Sequence, residues 1–589
     1  MSDQNDASQA QAAARLQHIG NQLDGEQAFF NPNRLKFAAG MPRGRAVNNT
    51  PLNPLTFLLR SAYIRPQRIA MKHPAIGVEW TYAEWAMRVC ALAYGLKKRG
   101  IKPGERVAVI CPNAPMILDL IQALPAIHGV IVPMNIRLTK PEVNYILEHS
   151  GSVMVVVDHE FAHLADDFKG PVIVSKDSGG RDPSCQYEQL IDEGRHEADT
   201  VGWPGHTLIE DEESDYAICY TSGTTGRPKG VVTTYRGTYL AALSNAAESR
   251  IFTESNYLWI LPAFHAIGWT FPFAITAASA GQVCLRSVGD YSPIWESITR
   301  DKISHYCGAP TVQIGICNHP QARKVPHDIR TMIAGAAPSA FLIKTLEKLN
   351  INVIHVYGLT ETYGPITNCI QHPEWAVDLD EDEFYRRKAM QGHAFVGSDE
   401  ARVIRPDSDP SKGYEDVTPN GKEVGEIVMR GNIVMKEYWK NPEATAEAFE
   451  GGWFHSGDLA VRMPYGMISI QDRSKDIIIS GGENASSLSI ESAIYQHPDV
   501  LECAVVARPH EKFGERAHSF IILRPHAQAK WAGKEDEFNV DLKAFVKPLL
   551  PGFARPEWVE VVPELPKTST GKIQKHELRK RFSSIIPSQ

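Results

Sequence analysis

The segment Tyr220-Thr221-Ser222-Gly223-Thr224-Thr225-Gly226-Arg227-Pro228-Lys229-Gly230 gathers the parts of a phosphate grip. Glycines remove side chains where backbone N–H groups must approach an oxyanion, the Thr221, Ser222, Thr224 and Thr225 hydroxyls add donors, and Lys229 supplies a mobile positive charge. The run Tyr216 to Tyr220 reads as a buried strand. The loop is therefore expected at a strand's carboxyl end, where open α/β sheets bind ligands. Pro228-Lys229-Gly230 stands where a Walker loop requires Gly-Lys-[Ser/Thr], which disfavours a P-loop NTPase. The donor density points to ATP chemistry.

Five more segments follow in order: Gly335-Ala336-Ala337-Pro338, Tyr357-Gly358-Leu359-Thr360-Glu361-Thr362, Trp453-Phe454-His455-Ser456-Gly457-Asp458, Asp472-Arg473-Ser474-Lys475-Asp476 and Pro566-Lys567-Thr568-Ser569-Thr570-Gly571-Lys572. With the loop above, the chain from about residue 50 to about 582 resembles the adenylate-forming family of AMP-forming acyl-CoA synthetases, beetle luciferases and peptide-synthetase adenylation domains. The wider sequence, notably Tyr385 to Ala389 with Gln391-Gly392, looks most like the short- to medium-chain acyl-activating branch. The resemblance implies an acid–CoA ligase. A monocarboxylic acid, fatty or aromatic, would be activated by ATP to acyl-AMP and pyrophosphate, then passed to coenzyme A; the alternative is transfer to a carrier protein or other acceptor. The Gly481-Gly482 pair favours free CoA.

The resemblance also implies roles. Thr221 to Gly226 and Lys229 hold the β/γ-phosphates. Glu361 is the magnesium (Mg2+) ligand, as a hard cation between phosphates wants a carboxylate and waters. Thr360 donates to the α-phosphate. Tyr357 and Gly358, with the small Gly335, Ala336 and Ala337, accommodate adenine. Asp458 is suited to accept both ribose hydroxyls, and Arg473 to add a ribose or phosphate contact. Lys572, on a loop of the small domain, is the adenylation lysine, while Lys567 and Lys575 are expected to be solvated. Lys475 is the hinge, and Gly481 and Gly482 would let the pantetheine arm of CoA pass close to backbone. His265 gates the acyl pocket and thiol channel; Trp269, Phe271, Tyr306, Gly308, Ala309 and Pro310 line the pocket. That set has no basic residue to read a second carboxylate. Ala485 and Met390 depart from the family pattern, which touches acceptor or acyl preference rather than adenylation.

The elements that must carry these residues are also legible. Strand-like runs such as Arg106 to Ile110, Gly129 to Pro133 and Val153 to Val157 alternate with helical ones such as Met116 to His128, which implies mostly parallel sheets covered by helices. The fold class expected is α/β: a large N-terminal domain of subdomains over 51–474 and a small mobile α+β domain over 475–589. Residues 1–50 have few large apolar groups and read as a tail. Within it, Arg15 to Leu23 resembles an N-terminal peroxisomal targeting nonapeptide, which names a peroxisomal import receptor as a partner and the peroxisome, otherwise the cytoplasm, as location.

With 589 residues the chain exceeds one hydrophobic core. Its net charge of -8 argues against a nucleic-acid partner, and it holds no apolar run long enough to span a bilayer. Nine scattered cysteines without a Cys-x-x-Cys pair suit a reducing compartment. His159-Glu160-Phe161-Ala162-His163 fits the zinc-protease pattern, but a strand running into it leaves no helix interior, so both histidines are expected at the surface.

Overall fold

The computed structural model describes residues 35, 48–221, 227–473, 475–568 and 572–582. The strands between residues 106 and 234, with Glu437–Tyr438, form a seven-stranded sheet. Its parallel part joins Asp215–Tyr220, Val130–Met134, Arg106–Ile110, Ser152–Asp158 and Val172–Ser175, in that order. A parallel sheet must be covered on both faces, and residues 107–110 and 155–157 are accordingly fully buried. Gly230–Thr234 and Glu437–Tyr438 extend this sheet antiparallel beyond Asp215–Tyr220.

A nine-stranded sheet holds Ile351–Leu359 beside Ile329–Ile333, in parallel, and Gly364–Asn368, antiparallel. A four-stranded antiparallel sheet carries Phe454–Arg462 against Ile468–Arg473. A small α+β domain follows, with its own sheet and its own apolar core around Ile490, Val505, Ile521 and Phe538. The α/β class with a large N-terminal and a small C-terminal domain is thus as the sequence implied.

The expected strands are present within a residue or two, and the helix expected over Met116 to His128 is Pro115–Ala126, with proline at its first position. The segment His159–Ala165 is a run of 3-10 turn, with the Asp158 carboxylate capping the Glu160 N–H. His159 and His163 are exposed there, and no cluster of metal-ligating side chains occurs among the described residues. No helix among them is long and apolar enough to cross a membrane. Of the N-terminal tail only Leu35 and residues 48–50 are described; the Arg15 to Leu23 segment lies outside the described residues.

Candidate active site

The loop expected to hold phosphates leaves the carboxyl end of Asp215–Tyr220 and returns as Gly230–Thr234. Its base is closed by the Thr221 N–H donating to the Lys229 carbonyl at 3.0 Å. Ser222, Gly223, Thr224, Thr225 and Gly226 lie outside the described residues. Arg227 lies 5.2 Å from the Tyr145 ring centroid and the Lys229 ammonium 4.6 Å from that of Tyr438.

Thr360–Thr362 is a single 3-10 turn at the carboxyl end of Ile351–Leu359. The chain can double back there because Gly358 has no side chain: a Cβ would sit 1.8 Å from the Gly364 carbonyl. The buried Thr362 hydroxyl accepts from the Leu359 N–H and donates to the Gly364 carbonyl. Tyr363, at φ 59°, accepts the Thr234 N–H at 2.7 Å and so ties this turn to the hairpin of Asp215–Tyr220 and Gly230–Thr234. Glu361 is half-buried and takes the Tyr438 hydroxyl on Oε1 at 2.8 Å. Burial pushes its carboxyl pKa up, against the Tyr438 hydrogen bond and the positive charges of Arg473 and Lys229.

Asp458 stands opposite Arg473 in the four-stranded sheet. The buried Tyr357 hydroxyl donates to its Oδ2 at 2.7 Å, and Arg473 Nε lies 3.4 Å from Oδ1. Each carboxylate oxygen keeps a further lone pair, so two diol hydroxyls can still be accepted. Gly335, at φ 84°, and Ala336 and Ala337 are exposed, with nothing near a Gly335 Cβ. This leaves the backbone open to a flat ring.

The small domain brings Lys572 into this constellation. A bridge between Lys567 and Ile573 and the Thr568 N–H donating to the Lys572 carbonyl at 2.7 Å shape its loop. Arg137 of the large domain donates to the Thr568 carbonyl at 3.4 Å. Burial, then the positive charge of Arg473, lowers the Lys572 pKa to about 8, with Asp458 and Asp476 opposing. His265 is lowered to about 4 by burial and by the charge of Lys572. Lys572, Asp458, Arg473 and His265 therefore share one electrostatic environment. Lys475 is exposed, just after Arg473, whose carbonyl accepts the Asp476 and Ile477 N–H groups.

Lys567 and Lys575 are not the solvated pair expected from sequence. Lys575 Nζ pairs with Glu491 at 2.8 Å and donates to the Ser487 hydroxyl at 2.6 Å; Lys567 Nζ is 2.6 Å from Glu502. The reason is tertiary. The strand carrying Glu502 and the helix carrying Glu491 bring these carboxylates to the two lysines, which local sequence does not reveal.

The segment expected to line the acyl pocket has an unusual backbone: Ala266, Ile267, Gly268, Trp269 and Thr270 all have φ between 39° and 61°. Four of these are not glycine, so the turn is strained and must be held by its surroundings. Asn245 does so, donating to the Trp269 carbonyl and the Thr270 hydroxyl. Trp269 is thereby set against Gly364, where a Cβ would come within 2.9 Å of it. Phe271 and Tyr306 are fully buried, the first stacked on Tyr257 and the second donating its hydroxyl to Gln313. Gly308 and Ala309 begin the turn into the helix Pro310–Asn318. Gly481 and Gly482, at φ 65° and 87°, are the two-residue loop of the hairpin Ile478–Ser480 to Glu483–Ala485. That turn type requires positive φ at both positions, so the glycines have a local reason as well.

Sequence reasoning missed Tyr145 and Tyr438. Each is a lone aromatic far in sequence from the residue it serves, and only the strand pairing of Glu437–Tyr438 with Gly230–Thr234 brings Tyr438 to the loop.

The chain matches two family models, "AMP-binding enzyme" over residues 58–439 and "AMP-binding enzyme C-terminal domain" over residues 489–572. It is 39% identical to a peroxisomal acetate/butyrate–CoA ligase of Arabidopsis thaliana, over 92% of this chain and 96% of that one. It is 35% identical to a peroxisomal trans-cinnamate:CoA ligase of Petunia hybrida, over 91% and 95%. Among solved structures, ATP-bound MatB from Rhodopseudomonas palustris superposes with a TM-score of 0.77 at 25% identity, covering 91% of this chain and 100% of that one.

Proposed function

The chain belongs to the AMP-binding enzyme family and is an AMP-forming carboxylic acid–CoA ligase, and on that premise we propose how its residues divide the reaction and which acid it takes. The observation that carries the reading is the position of Lys572, borne by the small domain, in the same electrostatic environment as Asp458 and His265. A carboxylate oxygen attacks the α-phosphorus of ATP, the α–β phosphoanhydride bond breaks, and pyrophosphate leaves. The Lys572 ammonium stabilises charge on the carboxylate and α-phosphate oxygens, and Thr360 donates to the α-phosphate. Asp458 and Arg473 fix the ribose, Tyr357 with Gly335 to Ala337 the adenine, and Lys229 with the 221–226 loop the departing phosphates.

Glu361 fits magnesium: it is a single half-buried carboxylate beside the phosphate loop, and Mg2+ takes one or two carboxylates with phosphates and waters rather than a protein cage. The ion would neutralise phosphate charge as it develops. In the second half-reaction the CoA thiolate attacks the acyl carbonyl and AMP leaves. We assign its pantetheine path to the Gly481-Gly482 turn after rotation of the small domain (475–589) about Lys475 against the large one (51–474).

The acid is a short- or medium-chain or aromatic monocarboxylate, bound at His265, Trp269, Phe271, Tyr306 and Gly308. The acetate/butyrate and cinnamate ligases among the relatives fit this range. AMP release should be measured with a panel of short-chain, medium-chain and aromatic acids, each with and without CoA. Sustained release that requires CoA is expected; acyl-AMP formation to which CoA makes no difference would sink the CoA reading in favour of a carrier protein or other acceptor.

The same relatives are named peroxisomal, and Arg15 to Leu23 supplies a matching address for an import receptor. Residues 1–40 fused to a fluorescent protein should collect in peroxisomes, and Arg15→Ala with Leu16→Ala should release the fusion. A fusion that is diffuse from the outset contradicts the address.

A further inference from the structure

Glu361 and Lys229 present a problem of their own. Glu361 is half-buried and Lys229 exposed, and the two opposite charges lie close enough for Lys229 to stabilise the Glu361 carboxylate. A direct ion pair would occupy the carboxylate meant for a metal and the ammonium meant for phosphate. No such pair forms. Both side chains turn to Tyr438 instead: its hydroxyl donates to Glu361 Oε1 at 2.8 Å, and its ring centroid lies 4.6 Å from Lys229 Nζ.

We propose that Tyr438 is a positioning residue that stands between Glu361 and Lys229 and holds each for its ligand, the carboxylate for magnesium and the ammonium for the β/γ-phosphates. The proposal rests on the roles given to Glu361 and Lys229 under Proposed function. Tyrosine suits the task because it offers one face to a cation and one donor to an anion without bringing a charge of its own. A lysine or carboxylate at this position would instead cancel one of the two groups.

The ring is also well fixed. Tyr438 is 7% exposed, and its N–H donates to the Thr445 hydroxyl at 3.0 Å. Its strand is stitched at both ends to what it separates. The Met435 N–H donates to the Glu361 carbonyl at 2.7 Å, and the Lys436 and Trp439 N–H groups donate to the Val232 and Gly230 carbonyls at 2.9 and 2.7 Å. One short segment therefore spans from the Glu361 turn to the strand that follows Lys229.

The test is a mutant cycle on the full-length enzyme, read by the electron paramagnetic resonance signal of Mn2+ bound with α,β-methylene-ATP, and by calorimetry of the nucleotide without metal. Tyr438→Phe keeps the ring and loses the donor, so metal–nucleotide binding should weaken about 10-fold while metal-free nucleotide binding holds. Tyr438→Leu removes the spacer, and the freed pair should weaken metal–nucleotide binding further. Adding Lys229→Ala to Tyr438→Leu should then restore metal binding by about 3-fold or more, opposite in sign to the effect of Lys229→Ala in the parent enzyme.

Equal losses from Lys229→Ala in both backgrounds would overturn the proposal. If Tyr438→Leu does not fold, Tyr438→Phe decides alone: equal loss with and without metal, or no loss, overturns it. Should Lys229→Ala and Glu361→Gln leave binding unchanged in the parent enzyme, the roles of those two residues fail, which is a different outcome from additivity.

Discussion

Lys572→Ala is expected to lower acyl-adenylate formation by at least about 10²-fold, the scale of losing one preorganised charge contact, yet to convert supplied acyl-AMP and CoA to thioester at close to the parent rate. The asymmetry follows from where the lysine is carried. Its loop belongs to the small domain, so a rotation about Lys475 would withdraw it for the second half-reaction. Rapid-quench measurement of each half-reaction separates the two; equal impairment of both would mean that the small domain is a static lid.

A pH dependence belongs to the same residue. In the arrangement seen here, proposed above as the adenylating one, Lys572 is half-buried, and burial with the charge of Arg473 lowers its pKa from 10.5 to about 8. The closed form therefore holds its proton less tightly than the open one. The cost of inserting a charged lysine is full below about pH 8 and disappears above the ordinary lysine value, whereas the proposed role needs the charged form. Adenylation at limiting ATP should accordingly fall as pH rises through about 8, and bound phosphates should move that limb upward at saturating ATP. A limb that persists in the residual activity of Lys572→Ala belongs to another group.

The parts of this protein that were legible in the sequence are those where chemistry and local backbone coincide. The buried runs Val107 to Ile110 and Val155 to Val157 read as strands covered on both faces and are such strands, and the segment read as a phosphate grip does follow another strand. Asp458 and Arg473 were readable as functional types, but their facing positions across two antiparallel strands needed the fold. Other features had no local signature. The left-handed run from Ala266 to Thr270 contains one glycine and is imposed by Asn245 from a distant helix, so the backbone contradicts its own residue types. Lys575 looks like a solvent lysine until Glu491 is packed against it. The Gly481-Gly482 pair shows the reverse error risk: a turn that demands positive φ can account for glycines that function also invites.

Glu361→Gln should lower the adenylation rate and the affinity for magnesium-ATP together, by about 10²-fold or more in rate, and leave thioester formation from supplied acyl-AMP intact. The substitution is unusually clean here. Glutamine keeps the volume, its carbonyl oxygen can still accept the Tyr438 hydroxyl, and the backbone link from the Met435 N–H to the residue 361 carbonyl does not involve the side chain. What is lost is the charge. Magnesium titration also distinguishes this variant from Lys572→Ala, whose half-saturating magnesium concentration should stay at the parent value; unchanged magnesium dependence in Glu361→Gln would show that the carboxylate is structural.

Stability supplies an independent check on the same residue. Burial raises the Glu361 pKa, so the native state binds that proton more tightly than the unfolded chain does, and above this pKa the ionised carboxylate costs stability. Glu361→Gln removes that cost and should leave the ligand-free thermal midpoint at neutral pH unchanged or higher. A residue kept for packing would lose stability when altered. A residue kept for a cation should hold or gain it while losing magnesium, because the burial penalty on this half-buried carboxylate is offset only in part by the Tyr438 hydrogen bond and the charges of Arg473 and Lys229, and a bound ion would offset it further.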